Sequence, residues 1–101
     1  MSGIRYQRRS DGRVAAWVFA GGDRVLLRRA AEVVEQQLGA LACERFDGGD
    51  QVFLDFTWLG GAFTLLYARD EGVGVLSGDG SAAAEALARR IAEHLERSVA
   101  P

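Results

Sequence analysis

Apolar and polar positions alternate with a period of two along most of this chain, and twice the period lengthens to that of a helix. The clearest alternation runs from Gln51 to Asp70, QVFLDFTWLGGAFTLLYARD, and is broken only at Gly60-Gly61. It predicts two antiparallel strands, 51–59 and 62–70. One face of the pair holds Val52, Leu54, Phe56, Trp58, Phe63, Leu65 and Tyr67; the other mixes Phe53, Asp55, Thr57, Leu59, Thr64, Leu66 and Ala68. The first face demands cover. A one-residue slip would put Phe56 and Trp58 in water at about 2–3 kcal/mol each, so their burial enforces the register.

Similar runs over 40–47 and 73–77 extend the sheet, with turns at Gly48-Gly49 and Glu71-Gly72. Two-residue turns would set Cys43 opposite Leu54 and Tyr67, and Glu44 opposite Phe53 and Ala68. Upstream, segments 4–9 and 13–20 flank Ser10-Asp11-Gly12-Arg13. Asp-Gly between extended segments signals a hairpin, because both central residues of a type I′ turn need positive φ. Whether segment 4–9 joins the main sheet is open at this point.

The helical period appears first over 24–38, where Leu27, Ala30, Ala31, Val34 and Leu38 share a face. Asp23 suits the N-cap and Gly39 the C′ position. It returns over 82–98, with Ala84, Leu87, Ala88, Ile91 and Leu95 as the stripe and Ser81 or Asp79 as the cap. The resulting fold class is α+β in two layers: an antiparallel sheet of five to six strands with two helices on one face, in the order β-(β)-α-β-β-β-β-α. The β-α-β4-α core resembles the TBP-like and helix-grip arrangements in topology. No motif of either is matched, so the resemblance implies a fold and no activity.

Composition changes this picture little. A length of 101 residues fits a single domain over 1–101, large enough to fold without a disulfide or a metal. Cys43 is the sole cysteine, no apolar signal segment follows Met1, and no run reaches the length of a membrane span. A cytoplasmic protein is expected. The absence of lysine is the kind of bias a GC-rich, bacterial-type genome imposes. Charge is unevenly spread: residues 1–29 hold seven arginines against Asp11 and Asp23, a surplus of +5, and the remainder holds five arginines against twelve acids, a net of −7.

Four candidate sites carry little chemistry. The Ser77-Gly78-Asp79-Gly80-Ser81 turn lacks a phosphate-binding pattern, and Asp79 would repel a phosphate. Asp47, Asp50, Asp70 and Glu71 gather at one end of the sheet without the spacing of a calcium loop. The basic N-terminal third carries no nucleic-acid motif and belongs to a chain of pI about 5.3, which argues against nucleic acid. It could instead meet the acidic sheet end of another copy. His94 and Cys43 are predicted too far apart for a nucleophile pair. The carboxylates of Asp55 and Glu44, adjacent on the mixed face, would be too wet for acid–base work. No enzyme, cofactor or metal is expected.

The mixed face is the remaining feature. An uncovered antiparallel face is normally polar; this one carries Phe53 and Leu66, with Trp17 and Phe19 expected to join from 13–20. A large apolar patch marks an interface. The expectation is therefore a non-enzymatic protein-binding module, a homodimer or an adaptor, chaperone or immunity-like protein, using Trp17, Phe19, Phe53, Asp55 and Leu66 against a protein partner or a second copy. The alternative is a domain for a small apolar ligand, held in a cavity between the sheet and the C-terminal helix and lined by Trp58, Phe63, Tyr67 and His94.

Overall fold

The computed structural model describes residues 3–21 and 23–99. Its elements are β1 (Arg5–Arg8), β2 (Val14–Phe19), α1 (Arg24–Gln36), β3 (Leu41–Asp47), β4 (Gln51–Trp58), β5 (Gly61–Ala68), β6 (Gly72–Ser77) and α2 (Ala82–Ser98). The strands form one antiparallel sheet in the order β1-β2-β6-β5-β4-β3. Segment 4–9 thus does join the main sheet, through β1, as its outer strand beside β2.

Both helices lie on one face. Leu27, Ala30 and Val34 of α1 and Ala88, Ile91, Ala92 and Leu95 of α2 close over Val52, Phe56, Phe63, Leu65, Val73 and Val75. The Asp23 carboxylate caps α1 by accepting from the Val25 and Leu26 amides, and Ser81 caps α2 by accepting from Ala84. Gly39 follows α1 at φ +76°, the left-handed conformation that ends helices.

The turns and register differ from the sequence expectation in three places. The β5–β6 turn precedes Gly72, which is the first residue of β6 and pairs with Ala68 rather than standing in a Glu71-Gly72 turn. The β4–β5 turn is Leu59-Gly60, so Trp58 pairs with Gly61 and Leu54 with Leu65 rather than Tyr67. The shift is two residues, and every side chain keeps its face. In β3 a bulge between Ala42 and Arg45 places Arg45 opposite Leu54 and Phe46 opposite Phe53. Cys43 and Glu44 occupy the bulge. Cys43 is exposed there instead of packing inside the sheet, and Glu44 does not face Phe53.

A second, smaller core lies on the helix-free face: Ala15, Trp17, Leu66, Ala68 and Leu76, with Phe53 at its edge. Trp17 Nε1 donates to Gln7 Oε1 at 3.1 Å, and the Arg5 guanidinium stands 6.0 Å from the centre of its ring. Gly74 makes room for the indole: a Cβ there would sit 3.0 Å from Trp17 Cε3 and 2.7 Å from the Ala16 carbonyl oxygen. Phe19 does not share this face. The pairing of β2 with β6 shifts between Trp17 and Phe19, and both Val18 and Phe19 enter the main core.

The charge asymmetry is largely settled within the chain. Arg5 pairs with Glu71, Arg8 with Glu85 and Arg24 with Asp47, so the basic third meets acids of its own molecule. These pairs are exposed, so solvent screening leaves each only a small contribution to stability.

Candidate interaction surface

The helices pack over β2, β6 and β5, and the sheet continues beyond them. Every residue of β2 and β6 is buried, whereas every residue of β3 is exposed. β3 is therefore the open outer edge of a wing formed with β4, which itself keeps Val52 and Phe56 in the main core. On its helix-free side Phe46, 59% exposed, leans on half-buried Phe53 with ring centres 6.0 Å apart. Beside them half-buried Asp55 accepts a hydrogen bond from the Thr64 hydroxyl at 2.6 Å.

On the helix side a groove of about 620 Å³ separates α1 from the wing. Its floor includes Leu27, Val52, Leu54 and Phe56; Arg28, Ala31 and Glu35 form the α1 wall and Glu44 and Arg45 the β3 wall. One end is fixed by Arg24, which grips both Asp47 oxygens at 2.7 and 2.9 Å and reaches the Gly49 carbonyl at 2.7 Å. Hydrogen bonds from Arg24 first, and from the Gly49 amide next, hold the Asp47 carboxyl well below the usual carboxylate range.

A second cleft, about 800 Å³, opens where the β4–β5 turn faces the start of α2. Trp58, Leu38 and Leu87 line it, together with Leu41 (69% exposed) and Leu59 (75% exposed). Leu59 sits at φ +52°, a region a leucine rarely occupies.

Of the residues expected to bind a partner, Trp17 and Leu66 are 4% and 2% exposed and have little surface left to offer. Phe53 and Asp55 stay accessible on the wing, and Phe19 is in the core. Of the four ligand-site candidates, Trp58 and His94 share a hollow of about 200 Å³ with Leu38, whereas Phe63 and Tyr67 lie elsewhere. Phe63 is fully buried, stacked on Phe56 at 5.4 Å. Trp58 donates to the Leu38 carbonyl at 2.7 Å, while Tyr67 pairs with Val52, about 20 Å along the strands, beneath Arg24. His94 Nε2 lies 3.0 Å from Gln37 Oε1 and 3.3 Å from Ser98 Oγ, outside the core.

The remaining sequence features resolve as local structure. Asp47 and Glu71 each hold an arginine, and Asp50 lies 3.5 Å from Arg69. Asp79 accepts from the Ser81 amide at 2.8 Å, and the Ser77 hydroxyl accepts from Val14 and donates to the Asp79 carbonyl. Hydrogen bonds from Ser81 hold the Asp79 carboxyl below its ordinary value. The groups that sequence reasoning missed are Phe46 and Leu41. Phe46 is exposed because β3 is the outer strand of the sheet, a consequence of strand order that alternation along the chain does not reveal.

The class defined by this geometry is a two-layer α+β domain with an uncovered sheet wing. Compared with protein-family models, with curated proteins and with solved structures, the chain finds no match. Among the described residues no helix is long and apolar enough to cross a membrane.

Proposed function

We propose that the protein is a non-enzymatic interaction module that binds another protein chain through its β3–β4 wing. The reading rests on one observation: β3 is the exposed outer edge of the sheet, with Phe46 59% exposed on the helix-free side and Phe53 half-buried beside it. Apolar area removed from water contributes roughly 25 cal/mol per Å², so the binding centre belongs where such area remains. That moves it from Trp17 and Leu66 to Phe46 and Phe53, with Asp55 at the rim. Two neighbouring aromatic rings suit the anchor role that dominates protein interfaces.

The test is affinity capture from native lysate with wild type, Phe46→Arg, Phe53→Arg and, as a control on the far side of α2, Glu93→Arg. A specific protein, or the chain itself, retained by wild type and by the control but released by both wing variants is the expected result. Equal retention by all four, with unchanged circular dichroism, would overturn the proposal.

A further inference from the structure

Helix α1 carries its charges in the wrong order for its own dipole. Arg24, Arg28 and Arg29 occupy its first half and Glu32 and Glu35 its second, with no acid in the first turn after the Asp23 cap and no base in the last turn. A helix N-terminus is partially positive and favours acids, and Arg placed before Glu at i,i+4 is the weaker arrangement. In the same molecule α2 follows the favourable order, with Glu85 in its first turn and Arg97 in its last. In α1 the Asp23 carboxylate at the N-cap answers the dipole and Arg24 is held by Asp47, which leaves Arg28, Glu32 and Glu35 as exposed charges in the less favourable order.

Arg28, Ala31 and Glu35 are spaced three and four residues apart, so they form one stripe, and that stripe is the α1 wall of the groove beside the wing. None of the ion pairs among the described residues uses Arg28, Glu35 or Glu44. The stripe is basic at one end, acidic at the other and small in the middle. An antiparallel copy of itself is its complement.

We infer that the groove-side face of α1 is a homodimer seam: two copies pack α1 against α1 in antiparallel fashion about a two-fold axis near Ala31, with Arg28 of each copy facing Glu35 of the other. A two-fold contact must be self-complementary, which requires both signs on one chain at mirrored distances from the axis; an unrelated partner imposes no such requirement. Ala31 at the crossing lets the helices approach to the close end of the usual 8–10 Å. Antiparallel pairing also sets the positive end of each helix dipole beside the acidic end of its neighbour. Across the groove, exposed Glu44 and Arg45 on β3 extend the mixed-charge rim. This inference goes beyond the wing reading: Phe46 and Phe53 lie on the other side of the sheet from the groove, and the partner named here is a second copy.

Sedimentation equilibrium of the full chain at low ionic strength tests it. Wild type should form a concentration-dependent dimer. Arg28→Glu and Glu35→Arg each create two like-charge contacts per dimer and should each raise the dissociation constant by about tenfold or more. An equimolar mixture of the two variants should recover near wild-type affinity as a heterodimer, because each chain then supplies the complement of the other. Both positions are exposed, and circular dichroism checks that the variants fold. A monomeric wild type, a dimer indifferent to both variants, or no recovery on mixing would each overturn the seam. The two proposals separate cleanly. A dimer broken by Phe46→Arg but not by the charge variants leaves the wing reading standing without the seam. A monomer that still captures a different protein through the wing removes only the second copy.

Discussion

Leu59 shows how a single residue can resist local preference. It holds φ +52° as the first residue of a two-residue hairpin turn and is 75% exposed. That conformation costs a leucine roughly 1–2 kcal/mol relative to its right-handed minimum, and little burial offsets it. Asn-Gly is the favoured pair for such a turn, so Leu59→Asn should raise stability by up to about 1 kcal/mol, about 4–8 °C in melting temperature for a domain of this size. Thermal unfolding followed by circular dichroism checks this; a lower melting temperature would show that the Leu59 side chain makes contacts outweighing its backbone strain. The same turn explains a limit of the sequence. Gly60-Gly61 looks like the turn because glycine suits positive φ, but Gly61 is the first residue of β5. A Cβ there would lie 2.7 Å from Leu87 Cδ2, so the end of the Leu87 side chain would have to shift. Of the two adjacent glycines only Gly60 takes a positive φ, +78°, and the chain alone does not show which of the pair the turn uses.

Among elements, what is legible follows from period. The apolar stripes of α1 and α2 and the alternation in β4 and β5 are set by burial, so position and face can be read directly, as can the Asp23 and Ser81 caps. The β3 bulge cannot. Nothing in Leu41–Asp47 marks where an extra residue enters the pairing, and the displacement of Cys43 and Glu44 appears only once β4 is beside them. Nor does alternation reveal which strands the helices leave bare, since that depends on sheet order. The docking of α1 on the wing likewise rests on a contact between distant residues, Arg24 with Asp47. Asp47→Asn should lower the urea midpoint at neutral pH. Because the bound carboxyl titrates below its ordinary value of 3.8, its contribution is complete above that value and is lost as pH falls through the lower folded-state pKa. The gap between wild type and variant should therefore persist at about pH 5 and close only in strong acid, toward about pH 2. A gap that closes already near pH 5, or none at neutral pH, would show that the Arg24–Asp47 contact does not stabilise the fold. Both side chains are partly exposed, so the effect is modest.

At the scale of the whole molecule, charge is sorted into pairs used inside the chain and groups left over. Arg5, Arg8 and Arg24 meet Glu71, Glu85 and Asp47; Arg28, Glu35 and Glu44 stay out of these pairs and line one groove. Association through that groove and association through Phe46 and Phe53 respond oppositely to salt. Screening shortens the reach of exposed charges to about 10 Å at 0.1 M ionic strength and about 3 Å at 1 M, whereas apolar burial is not weakened by it. If opposite charges on the two α1 helices contribute to the dimer, its dissociation constant should rise as sodium chloride increases across that range. In Arg28→Glu alone the facing charges are alike, so the same salt should lower the dissociation constant. The mixture of Arg28→Glu with Glu35→Arg should return to the wild-type direction. A change of sign on reversing one residue is difficult to obtain from general ionic effects, which act alike on all three samples. Light scattering over a salt series distinguishes the two cases: slopes of one sign throughout would place the association elsewhere on the wing, and a reversed slope for the single variant would locate it at α1.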